Sequence, residues 1–78
     1  MFSSRQQALV DSRKLVRTFA SAPDPRRRAQ AVLSELKRAH GWSPAAQEQV
    51  DAAAIWLREG PSVAELEPYL RALLERLR

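Results

Sequence analysis

Arg26, Arg27 and Arg28 follow Asp24-Pro25, a pair that marks the start of a helix. The Asp24 carboxylate can accept a hydrogen bond from an unpaired amide of the first turn. Pro25 suits the first helical position, where its missing N–H is not needed. The N-terminus of a helix already carries roughly half a positive charge. Three cations there raise the local potential, which favours an anion or an acidic partner surface. Arg13, Lys14 and Arg17 form a second basic group earlier in the chain. These six side chains are the candidate partner- or anion-binding residues.

Other chemistry has little to work with. The chain has no cysteine, which excludes disulfides, thiolate metal sites and thiol nucleophiles. His40 is the single histidine, so no multi-histidine metal site exists. It is expected in the last turn of a helix, where imidazolium suits the dipole. The serines sit mostly at helix starts, and none belongs to an identifiable triad. No spacing of carboxylates marks an acid/base pair. The two glycines, Gly41 and Gly60, are too far apart for a phosphate-cradling loop. The expectation is a non-enzyme with no cofactor and no metal.

Charge points toward binding. The net charge is +4 and the pI about 10.7. Residues 1–40 hold nine Lys/Arg and three Asp/Glu, a balance of +6, and residues 41–78 hold four and six, a balance of −2. That polarity steers the first half toward anionic partners. Nucleic acid is one such partner, gripped through phosphates. A standard helix-turn-helix over Val32 to Ala54 is excluded. Its reading helix would carry Glu48 and Asp51, no base-contacting cation before Arg58, and too much apolar surface.

Four helices are needed to position these residues, and strand signals are absent. The first runs from about Ser4 to Ala20, opened by Ser3 with Gln6 or Ser4 with Gln7 at capping-box spacing. Leu9, Val16 and Phe19 form its stripe, widened by Ala8 and Leu15, opposite Val10, Arg13, Lys14 and Arg17. The second runs from Pro25 to about Ala39, with Ala29, Val32, Leu33 and Leu36 at helical spacing. Gly41 ends it as a left-handed cap, and Trp42 folds back on Leu36.

The third helix starts at Ser43-Pro44 and ends near Glu59-Gly60. Ala46, Val50, Ala53, Ala54 and Leu57 share a face. Ile55 and Trp56 point elsewhere, about 200° and 100° from Leu57 at 100° per residue. Apolar residues on several sides predict a central helix. The fourth opens at Ser62, whose spacing to Glu65 is that of a capping box. Leu66, Leu70, Leu73 and Leu77 form its stripe, with Tyr69 and Leu74 beside it. Pro68 predicts a break, with a turn at 63–66 and a restart at Glu67, or else a kink. Short loops predict antiparallel neighbours, which would bring Arg13, Lys14 and Arg17 toward Arg26, Arg27 and Arg28.

Arg13-Lys14-Leu15-Val16-Arg17 on a first helix, followed by a basic helix with Glu35-Leu36-Lys37, loosely resembles the LYR-motif proteins. The resemblance covers about residues 5–40. It implies a small basic helical module that serves as a mitochondrial assembly factor or accessory subunit and binds acyl carrier protein. Asp11-Ser12 stand where the motif has Leu-Tyr, and Leu36 where it has a later phenylalanine, so no family is assigned on these residues.

The chain therefore reads as a single all-α domain over residues 1–78, a small antiparallel bundle of three helices plus a fourth broken or kinked near Pro68. A chain this short is marginally stable alone, which makes self-association or a partner plausible. The function expected is non-catalytic binding of a protein with an acidic surface, as a regulator, inhibitor or accessory subunit. Ile55, Trp56, Tyr69 and Leu74 are the candidate apolar interface, with Ile55 and Trp56 open between interface and core. Nucleic acid bound by the same basic face is the alternative. No apolar run approaches the ~20 residues of a membrane span, and the N-terminus lacks the apolar core of a secretory signal. The cytoplasm is the default compartment, with the Arg- and Ser-bearing residues 1–20 leaving an organelle address open.

Overall fold

The helix starts predicted at Asp24-Pro25, Ser43-Pro44 and Ser62 are helix starts. The computed structural model describes residues 4–77. They form four helices, with no strand among the described residues: α1 Ser4–Arg17, α2 Pro25–Arg38, α3 Pro44–Arg58 and α4 Val63–Arg76. At α2 the Asp24 carboxylate accepts from the Arg27 amide at 3.2 Å, with Pro25 first in the helix. At α3 the Ser43 hydroxyl accepts from the Ala46 amide at 3.2 Å, with Pro44 first. At α4 the Glu65 carboxylate accepts from both the Ser62 amide (2.9 Å) and the Ser62 hydroxyl (3.1 Å). At α1, Ser4 lies within the helix, and its hydroxyl accepts from the His40 amide at 3.2 Å. The proposed Ser3–Gln6 box lies outside the described residues.

The third helix ends at Arg58 with Glu59 as cap, as expected, whereas the ends of the first two differ from the sequence reading. α1 stops at Arg17 rather than Ala20. The Thr18 hydroxyl donates to the Lys14 carbonyl at 3.2 Å, alongside the Thr18 amide at 3.3 Å. Such back-bonding competes with the regular ladder. The chain then tightens into a 3-10 turn, Phe19–Ser21, that still buries Phe19. α2 stops at Arg38, because Ala39 is extended (φ −73°, ψ 151°). The positive φ of Gly41, 90°, therefore serves the loop rather than the helix cap. His40 accordingly stands in that loop, not in a last helical turn. Trp42 does fold back on Leu36: its Nε1–H donates to the Leu36 carbonyl at 2.9 Å.

Of the two forms expected at Pro68, α4 takes the continuous helix and not the break. It runs continuously through Pro68, with no restart at Glu67. Pro68 removes one hydrogen bond and crowds the carbonyl four residues earlier, that of Ala64. Both residues are exposed, so solvent can serve that carbonyl. The Glu65 cap before Pro68 and the buried Leu66, Leu70, Leu73, Leu74 and Leu77 around and after it hold the helix together.

Side-chain bonds define the hairpins. Arg5, at the start of α1, donates to the Gly41 carbonyl beyond the end of α2 (2.9 Å). Arg28, in the first turn of α2, donates to Leu15 near the end of α1 (2.9 Å). α1 and α2 thus run antiparallel. α3 and α4 do the same: Trp56 stacks on Tyr69 at one end, and Arg76 donates to Gln49 at the other (3.4 Å).

The central helix is α2, not α3. α2 packs against α1, α3, α4 and the 3-10 turn, and buries Ala29, Val32, Leu33 and Leu36. α3 buries only Val50 and Ala53. Its remaining apolar content is mostly alanine, which can stand in solvent at little penalty. Two further positions revise the sequence reading. Leu74 is 5% exposed and belongs to the core rather than to a surface. Ser12 lies in the middle of the buried stripe of α1, 0% exposed, and its hydroxyl has no hydrogen-bond partner among the described residues.

Candidate partner-binding surface

The three arginines of α2 separate into two kinds. Arg28 is half-buried, and its Nη1 donates to the Leu15 carbonyl at 2.9 Å and the Thr18 hydroxyl at 2.7 Å. Leu15 is within the last turn of α1, where carbonyls lack intrahelical partners and the dipole is negative. Arg28 therefore closes the C-terminus of α1, and antiparallel pairing explains why a cation near the positive end of α2 is tolerated. Arg26 and Arg27 are exposed. Their side chains have no hydrogen bond or ion pair among the described residues; only the Arg27 backbone is engaged, by Asp24.

The first basic group does not merge with them. Arg13 and Arg17 border a groove between α1 and α4, with Val16 as floor and Arg71 and Glu75 opposite. Arg28 reaches α1 at Leu15, which is two residues from both Arg13 and Arg17 and so about 160° from each around the helix at 3.6 residues per turn. The hairpin brings the right ends together but sets these cations on opposite flanks. Lys14 is exposed between them. Arg71 is held by Glu67 at 2.7 Å within α4.

The apolar candidates also divide. Trp56 and Tyr69 stack on one another, centroids 3.7 Å apart and planes 8° from parallel. Both are half-buried against the core and join α3 to α4. Ile55 is 58% exposed. Asp51, Ala52, Arg58 and Glu59 surround it on the helix surface, so it stands alone rather than in a patch.

One apolar surface was not read from the sequence. Phe19, Ala22 and Pro25 face Val63, Ala64 and Pro68 across a groove between the 3-10 turn and the first half of α4. Val63 is 49% exposed there. The signal was present in Val63 and Pro68, but the groove exists only once residues forty positions apart are packed together. It begins at Pro25, one residue before Arg26. The unpaired arginines and this groove thus adjoin at one end of the bundle.

Among the described residues no group of three His, Asp or Glu side chains could hold a metal ion, and no helix is long and apolar enough to cross a membrane. No family model, no curated protein and no solved structure matches this chain. The likeness to LYR-motif proteins rests on the residues quoted for it alone.

Proposed function

We propose that this chain is a small non-catalytic protein-binding module, a regulator, inhibitor or accessory subunit, whose partner presents acidic groups. The observation that carries the reading is the pair Arg26 and Arg27. They stand exposed at the positive end of α2 with no side-chain ion pair among the described residues, while Arg28 beside them is absorbed by the fold. Their exposure and charge support a role in contacting an acidic partner. The groove that starts at Pro25 supplies apolar area next to them, and an interface combines such area with a charged rim. Arg13, Lys14 and Arg17 extend the positive field that steers an acidic partner.

The test is capture from native lysate with and without nuclease, using wild type and the Arg26→Glu/Arg27→Glu double variant. A protein retained by wild type after nuclease, and lost with the double variant, supports the reading. Tight binding of labelled DNA or RNA at moderate salt would replace it with phosphate binding by the same basic residues, whose affinity must fall steeply as salt rises.

A further inference from the structure

The other end of the bundle holds a cleft of different chemistry. It lies where the start of α1, the loop before α3 and the end of α4 meet, and Arg5, Gln6, Trp42, Gln49, Arg76 and Leu77 line it. Two guanidinium groups face it, and none of its lining residues is acidic. Among the described residues each guanidinium is bonded there to a neutral acceptor: Arg5 to the Gly41 carbonyl at 2.9 Å, Arg76 to the Gln49 side-chain oxygen at 3.4 Å. These two bonds orient the charges, and neither acceptor carries a negative charge. The floor is apolar, from Leu9, Leu77 and the indole of Trp42. That indole is fixed in place by its 2.9 Å bond to the Leu36 carbonyl.

We propose that this cleft binds a small organic anion, a carboxylate or phosphate head carried on an apolar body. Arginine presents paired donors that suit both head groups. The head would sit between Arg5 and Arg76, with Gln6 and Gln49 as neutral polar neighbours, and the body against Trp42 and Leu77. A few convergent polar groups over an apolar floor is the usual make-up of a small-molecule site. The site is distinct from the Arg26/Arg27 end, and it stands or falls independently of the partner proposed there.

Trp42 provides the readout. In a Trp56→Phe background, which keeps an aromatic ring on Tyr69, the only tryptophan is the one lining the cleft. The probes are octanoate, octyl phosphate, inorganic phosphate, octanol and octylammonium, each titrated while Trp42 emission is followed. Octanoate or octyl phosphate should give a saturable change with one site per chain. Octanol and inorganic phosphate, each lacking one half of the ligand, should bind at least tenfold more weakly, and octylammonium should not saturate. Arg5→Gln and Arg76→Gln should each weaken the anion roughly tenfold or more, the loss expected for one charge-assisted hydrogen bond. Gln49→Glu is the second arm. It keeps both arginines and gives Arg76 an internal counter-ion, so the fold is retained while anion binding should fall by a similar factor. Equal affinity for octanol and octanoate, unchanged affinity in the folded Gln49→Glu protein, or no saturation by either anion at millimolar concentration would each overturn the proposal.

Discussion

Arg28 and its two neighbours differ by one or two positions in the chain and by kind in the structure. The sequence places all three at a helix start, where their charge is unfavourable, but it does not say which one an adjoining helix end will take up. That depends on the antiparallel docking of α1, which sets the Leu15 carbonyl 2.9 Å from Arg28. Removing Arg28 should therefore weaken the fold: Arg28→Ala is expected to lose about 1–2 kcal/mol, the range for a partly exposed bond from a charged donor. The Arg26→Glu/Arg27→Glu variant should melt no lower than wild type, because acids in the first turn complement the dipole by a few tenths to ~1 kcal/mol each. Thermal melts of both variants decide the matter, and a clear drop for the double variant would mean that Arg26 and Arg27 hold the fold together. Ser12 makes a separate point at this scale. A serine in the middle of an apolar stripe was not legible as core, since its type argues for the surface. Its buried hydroxyl has no hydrogen-bond partner among the described residues. Ser12→Ala should raise stability by about 1 kcal/mol, which for a domain this small is a rise of about 4–8 °C in melting temperature.

Helix starts were legible because they are local chemistry: Asp24-Pro25, Ser43-Pro44 and Ser62 with Glu65 act within a few residues of themselves. Ends were less so. The stop after Arg17 involves the Thr18 hydroxyl, and that after Arg38 accompanies the seating of Trp42 on Leu36. The rank of the helices was also hidden. α3 looked central because Ile55 and Trp56 make it apolar on several sides, whereas Ile55 is exposed and burial follows the larger side chains of α2 and α4. Pro68 was read as a break because the local rule was applied without the leucines that override it. The same rule still operates on energy. Pro68→Ala restores an amide able to reach the Ala64 carbonyl and removes the ring that crowds it. Against an interior-proline penalty of up to ~3 kcal/mol and an offsetting gain of chain entropy in the unfolded state, a net stabilisation of about 1–2 kcal/mol is expected. Urea titration monitored by helical circular dichroism would show it as a higher midpoint with unchanged slope. A lower midpoint would mean that the helix is adapted to proline at that position.

At the scale of the molecule, the charge split between the two halves becomes a split between two hairpins, α1–α2 basic and α3–α4 slightly acidic. Such a split invites the idea that ion pairs clasp the halves together. The geometry favours another account. The Glu35–Arg38 pair (3.6 Å) and the Glu67–Arg71 pair (2.7 Å) each lie within one helix. The core that the hairpins share is apolar: Leu36, Leu66, Leu70 and Leu73, all essentially without exposure, meet in it. The radius of gyration, 11.7 Å, is close to the roughly 11.5 Å expected of a compact chain of this length. Folding should thus respond to salt chiefly through the mutual repulsion of the net positive charge, and binding through attraction to the partner. The two responses have opposite signs. Raising the salt from ~0.1 M to ~1 M shortens the screening length from about 10 Å to about 3 Å. Melting temperature should hold or rise over that range, as repulsion among the arginines is screened, while capture of an acidic partner weakens. Surface pairs within a helix contribute only about 0.3–0.5 kcal/mol each, too little to reverse the trend. Scanning calorimetry and equilibrium binding across one salt series measure both quantities on the same protein. If melting temperature instead falls in step with binding, charge does clasp the hairpins, and Arg26 and Arg27 lose their claim to be reserved for a partner.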